Sequence, residues 1–144
     1  MKRLVAVGAA AVLLAAGGPV WGADPDGVDL VVSDIVPSAS EPPKVLVIVR
    51  NAGTRPLVRP SVVELRLDDT VLGRGDVPPL RTPGEPAHVE FRRPARMAPG
   101  LHNFIARADP DDAVRELSED NNEYGMSVWV DTAPPAPGGR SQHR

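Results

Sequence analysis

The sequence predicts an all-β domain, a β-sandwich of about seven antiparallel strands, on three observations. Apolar residues alternate with period two in five separate runs, which is the strand signal because successive side chains point to opposite faces. Clusters of Pro, Gly, Asn and Asp separate the runs at the spacing of short strands. Proline, with 17 copies in the chain, is dense between the runs and absent from their interiors, as a hydrogen-bonded ladder requires.

The elements follow in order. Leu30 to Ile35 is a first strand, and Pro37 to Pro43 a turn region. Val45, Val47 and Val49 alternate with Lys44, Leu46, Ile48 and Arg50, and Asn51-Ala52-Gly53-Thr54 ends that strand. Val63, Leu65 and Leu67 form the inner face of the next, closed by Asp68-Asp69. Val71 to Val77 is a short strand, and Pro83-Gly84-Glu85 a turn. Val89 and Phe91 mark a fifth strand, closed by Pro99-Gly100. Phe104, Ala106 and Ala108 mark a sixth, which ends at Asp109-Pro110-Asp111. Met126, Val128 and Val130 mark the last. Asp112 to Glu119 reads as a structured loop, although a helical turn fits it locally.

The flanks differ from this core. Met1-Lys2-Arg3, the uncharged run Leu4 to Ala16, and small residues up to Gly22 follow the order of a secretory signal. That apolar run is short for a bilayer span, which needs about 20 residues. Residues 1–22 are therefore expected to be a cleaved signal peptide, with an uncleaved anchor as the alternative. Residues 23–27 form a linker, residues 28–131 the domain, and residues 132–144 a Pro/Gly-rich tail expected to be disordered. Export without a single cysteine means that apolar burial and backbone pairing must stabilise the fold. Two of the 16 basic residues leave with the signal, against 19 acidic ones, so the mature chain carries about −5. That balance argues against nucleic acid and gives no attraction to anionic lipid.

Three features together resemble the CARDB family, the cell-adhesion-related domain found in bacteria. They are the opening Asp29-Leu30-Val31-Val32-Ser33-Asp34-Ile35, the strand end Val49-Arg50-Asn51-Ala52-Gly53-Thr54, and the long run Asp109 to Glu123 with its Asn121-Asn122. The resemblance covers nearly the whole domain and implies an immunoglobulin-like sandwich of seven strands, usual on bacterial and archaeal surface proteins. It implies a binding or assembly module of the cell envelope, with an unknown protein or surface partner and self-association among the expectations.

Read from the residues themselves, Asn51, Asp109, Glu116, Asn121 and Asn122 are structural loop residues. Asn tolerates positive φ and bonds its own backbone, and a long loop on a sandwich end needs such internal partners. The carboxylates of Asp109, Asp111, Asp112 and Glu116 are the candidates for a hard cation such as Ca²⁺. The spacing is not that of an EF-hand, because Val114 stands where the turn glycine belongs and Asp120 where the bidentate Glu belongs. A solvated acidic loop is the preferred reading, and a calcium- or carbohydrate-binding surface domain the alternative.

No catalytic set stands out and no enzyme is expected. His88 and His102 lie on predicted strands, His102 on the face of Phe104 as a packing residue, and His143 lies in the tail. Arg74-Gly75-Asp76 is an integrin-type tripeptide in a predicted hairpin, too short a match to carry a function. The outer face is more informative. Trp129 and Ile105 share the parity opposite to the core, and side by side they would form a binding patch, Trp being favoured at hot spots. Leu46 and Ile48 have the same parity on the other sheet.

Overall fold

The computed structural model describes residues 4–6 and 26–132. It contains β1 (Leu4–Ala6), β2 (Leu30–Ser38), β3 (Lys44–Asn51), β4 (Ser61–Leu67), β5 (Thr70–Val77), β6 (Ala87–Arg92), β7 (Gly100–Ala108) and β8 (Glu123–Val130). Two antiparallel sheets run in the orders β1-β8-β7-β4-β5 and β2-β3-β6. The seven strands β2 to β8 make the sandwich, and no helix occurs among the described residues.

The period-two pattern is what buries the core. Val45, Val47 and Val49 of β3 and Val63 and Leu65 of β4 belong to one buried cluster, all at 0% exposure, with Phe104 of β7 the largest fully buried side chain. A buried aromatic of this size contributes about 1.5–3 kcal/mol through lost apolar hydration. Gly75 belongs to this packing, since a Cβ there would stand 2.3 Å from Val89 Cγ1. The turn Asp68-Asp69 puts Asp68 at φ 53, a left-handed conformation that Asp tolerates.

One expectation needs correction. Proline is not confined to the loops, because β2 extends through Pro37, which pairs with Val45. The reason is the sheet order: β2 is an edge strand, where a residue without an N–H costs no ladder bond on its open side. Arg74-Gly75-Asp76 lies in β5, the second arm of the β4–β5 hairpin, with Arg74 bonded to Glu64 at 2.9 Å and Asp111 at 2.7 Å. Three residues of the stretch expected to be an export signal pair with the sheet. Leu4, Val5 and Ala6 pair with Val130, Trp129 and Val128. An edge strand leaves N–H and C=O groups unpaired, and an uncharged tripeptide can occupy them. The rest of that segment, the expected cleavage point, the tail beyond Thr132 and His143 lie outside the described residues.

Candidate functional site

The outer face of β8, β7 and β4 is arranged in rungs set by the strand register. Trp129 lies opposite Leu101, Ser127 opposite Asn103, Gly125 opposite Ile105, and Glu123 opposite Arg107. On the other side of β7, Ile105 lies opposite Arg66 and Arg107 opposite Glu64. Trp129 is 46% exposed and Leu101 57%. Ile105 is therefore not the neighbour of Trp129. It sits four residues from Leu101, about 13 Å along the strand at the usual rise, and it is only partly exposed. Parity put Trp129 and Ile105 on one face, but register decides which residues touch. Leu101 has the same parity as Ile105, so the sequence signal for it was present and was missed. On the other sheet, Leu46 and Ile48 are half-buried, flanked by Val36 and Asp34 of β2 and by Glu90 and His88 of β6.

The opposite end of the sandwich is polar and closed. Asn51 Oδ1 accepts from the Asp29 N–H at 3.1 Å and the Gly53 N–H at 3.0 Å, while its Nδ2 donates to the Arg55 carbonyl at 2.8 Å. Gly53 must lack a side chain there, because a Cβ would stand 2.1 Å from the Gly27 carbonyl oxygen. Asp109 is buried, with φ 45, and its carboxylate accepts from the Ala113 N–H at 3.0 Å and the Val114 N–H at 2.7 Å. Asn121 Nδ2 donates to both carboxylate oxygens of Asp29 at 3.1 Å. Asn122, 2% exposed, donates to Glu116 Oε1 at 2.9 Å. Glu116 Oε2 accepts from the Leu30 N–H, and the Leu117 N–H donates to the Val28 carbonyl at 2.8 Å. The loop is thus laced to the start of β2. Burial pushes the Glu116 carboxyl up to about 7, against the lowering effect of the Leu30 N–H, with the charges of Glu119 and Asp109 adding to the rise and the Asn122 amide opposing it.

The four carboxylates considered for a cation do not converge. Asp109 is spent on backbone N–H groups and Glu116 on Leu30 and Asn122, while Asp111 pairs with Arg74 and Asp112 with Arg107 at 3.6 Å. Among the described residues, no three His, Asp or Glu side chains are grouped so as to hold a metal ion. The glycine that would give an EF-hand its sharp turn is missing, and the chain instead uses Asp109 and Asp112 at positive φ to fold the loop on itself.

Two further places carry polar chemistry. His102 is half-buried, with Nδ1 at 2.9 Å from Asp68 Oδ2 and Nε2 at 2.7 Å from the Ala98 carbonyl. Both contacts favour the charged ring, so its pKa is raised, first by Asp68 and then by Ala98. It fastens the β4–β5 turn to the approach of β7, a role beyond the packing expected of it. A cavity of about 340 Å³ opens between residues 56–62 and 109–114, with Leu57, Val58, Pro60 and Val114 among its walls. The hydroxyl of Ser61, on its lining, is buried without a hydrogen-bond partner among the described residues.

Comparison with known proteins gives one family and a set of folds. The CARDB family model matches residues 27–126. The chain is similar to the CARDB domain of a Pyrococcus furiosus protein crystallised in complex with di-metal ions, at 24% identity and a TM-score of 0.62 over 75% of this chain and 97% of that one. The solution structure of that same archaeal domain gives 23% identity and a TM-score of 0.58, covering 74% and 97%. A domain of a proposed cell surface protein from Methanosarcina acetivorans gives 20% identity and a TM-score of 0.60, covering 81% and 98%. No curated protein matches.

Proposed function

The chain belongs to the CARDB family, a non-enzymatic domain family, and from that premise we propose that it is an exported contact module of the bacterial cell envelope. It meets a protein partner through the outer face of β7 and β8. The observation that carries this reading is the exposed apolar rung of Trp129 and Leu101. Two large apolar side chains side by side in water cost solvation that a monomer gains nothing from, and aromatic anchors of this kind dominate interfaces. The basic, apolar and small-residue order of the first 22 residues supports export, and the description of the Methanosarcina relative points the same way.

The test is retention of the exported protein on washed envelopes. Trp129→Ala should leave the unfolding free energy within about 0.5 kcal/mol of wild type, as surface substitutions do. It should weaken retention about 30-fold, the effect of losing roughly 2 kcal/mol at a hot spot. Equal retention of wild type and variant would remove the reading.

The metal ions of the Pyrococcus domain raise a second reading, a calcium-dependent surface domain. The donor set here does not fit it, because each of the four acidic candidates is committed to a different neighbour. We therefore read the acidic loop as structural. Millimolar Ca²⁺ is expected to leave the melting temperature unchanged, whereas a rise that saturates with concentration would reinstate the calcium reading.

A further inference from the structure

Edge strands expose unpaired backbone groups, and proteins guard them with charges, prolines and bulges. Three edges of this sandwich are guarded. β2 has a bulge between Val32 and Asp34 and carries Pro37. β5 carries Arg74 and Asp76, and its pairing with β4 is shifted between Leu65 and Arg66. β6 carries Glu90 and Arg92. On the fourth side β8 is covered only by the three-residue β1, and β8 itself carries no such guard. From Tyr124 to Val130 it has no charge and no proline, and its register with β7 runs without a shift. A strand can be added there: β1 is seated on it, antiparallel, at Val128 to Val130. Between Tyr124 and Ser127 that side of β8 takes no partner strand among the described residues.

We propose that β8 is a strand-addition edge whose occupant is β8 of a second copy of this chain, joining the two sheets into one across a two-fold axis. The inference rests on the reading of the β7–β8 face as a contact surface, and it names the partner. Three features select a second copy. The uncharged run is centred on Ser127 between Glu123 and Asp131, so an antiparallel pair about Ser127 matches it against itself. Parity is preserved in that register, with Met126 beside Val128 on the inner side and Trp129 beside Gly125 on the outer. Gly125 is exposed and, as glycine, places no side chain in the way of the indole. Finally, an isologous pair consumes both open edges and leaves none to propagate, which a heterologous contact does not. The same register sets Glu123 against Asp131 of the second copy at each end, so the association strengthens as salt screens those like charges.

Because β1 lies in the segment expected to leave on export and competes for the edge while it is present, the experiment compares the uncleaved chain with its Val5→Pro variant, which removes a backbone donor from β1 without altering the sandwich residues. Sedimentation velocity at rising concentration should give a mainly monomeric full chain. The Val5→Pro chain should dimerise at least tenfold more tightly, and more so at high salt. Adding Trp129→Lys should return it to monomer with an unchanged far-ultraviolet circular dichroism spectrum. Adding Asp131→Lys instead should tighten the dimer about fivefold, by turning two like-charge pairs into opposite ones. A Val5→Pro chain that stays monomeric at about 500 µM overturns the proposal, as do equal dimerisation with and without β1 and a dimer indifferent to Trp129→Lys. If the chain stays monomeric but binds a free peptide carrying Leu-Val-Ala, the occupant is a foreign strand; the second copy is then excluded while the contact face stands. Loss of envelope retention in Trp129→Ala, without any dimer, separates the two readings in the same way.

Discussion

The outer face of the larger sheet differs from one end to the other. At the end near Trp129 the rung is Trp129 and Leu101, both open to water. At the other end the rung is Glu123, Arg107 and Glu64, continued through Arg74 to Asp111 and through Arg107 to Asp112. The charged end is where the acidic loop is folded on itself by Asp109 and Asn122 and laced to the start of β2 by Glu116 and Asn121. The polar residues here hold the molecule together, and the exposed apolar ones have no structural task. That inverts the usual assignment, in which charge on a surface marks the site and apolar groups make the core. It follows from the absence of disulfides: a loop of this length has no covalent staple, so its backbone groups must find side-chain partners.

The strongest way to break the contrast is to remove the residue that folds the loop on itself. Asp109→Ala strips two charge-assisted bonds, leaves the Ala113 and Val114 N–H groups unpaired, and puts alanine at φ 45. Hydrogen bonds to a charged group contribute about 1.5–3 kcal/mol, so a loss of roughly 3 kcal/mol in urea denaturation is expected. A loss below about 0.5 kcal/mol would mean that the loop is solvated and not structural. The two adjacent asparagines sharpen the point. Asn122→Ala removes a buried donor to Glu116 and should cost about 1–3 kcal/mol. Asn121 is exposed, and its bond to Asp29 lies at the surface, so Asn121→Ala should cost under about 1 kcal/mol. Equal effects would show that burial does not rank the loop bonds.

The sequence showed which residues face inward, and it did so for a physical reason. Side-chain direction along a strand depends only on parity, so Val45, Val63, Phe104 and Val128 were assignable one strand at a time. Register was not assignable that way, because it is a relation between two strands that only their pairing fixes. That is why Ile105 was matched to Trp129 when Leu101 is the residue beside it. Edge position has the same character. Pro37 ended the first strand as long as the order of strands was unknown, and it continues β2 once β2 lies at an edge. The loop asparagines were legible as loop residues from their chemistry. Their partners were not: Glu116 reaches Leu30 across 86 positions, and His102 reaches Asp68 across 34. No local pattern encodes a contact that the fold makes by bringing distant strands together.

A further comparison separates the two polar fastenings by pH. Glu116 titrates near 7 in the folded chain, against an ordinary value of 4.5. Between those values the folded state holds a proton that the unfolded state has released, so stability must fall as pH rises through that window. The contribution is fully present below 4.5 and is lost above about 7. His102 has the same sign, because its pKa is raised from 6.5 by Asp68 and Ala98; its contribution is present below 6.5 and is lost as pH rises through the folded value. Asp68 acts in the opposite sense at lower pH, where protonation below its ordinary 3.8 removes a partner from His102. A wild-type urea midpoint should therefore decline from pH 5 to pH 8, in two overlapping stages. Glu116→Gln keeps an acceptor for the Leu30 N–H but cannot ionise, so it should flatten the lower stage and leave the upper one. His102→Gln should do the reverse. The comparison is sharp because each variant removes one titrating group, Glu116→Gln with the side-chain shape kept and His102→Gln with a neutral hydrogen-bonding amide in place of the ring. If Glu116→Gln keeps the full wild-type slope between pH 5 and pH 6.5, its carboxyl is hydrated and the lacing of the loop to β2 is looser than its hydrogen bonds indicate.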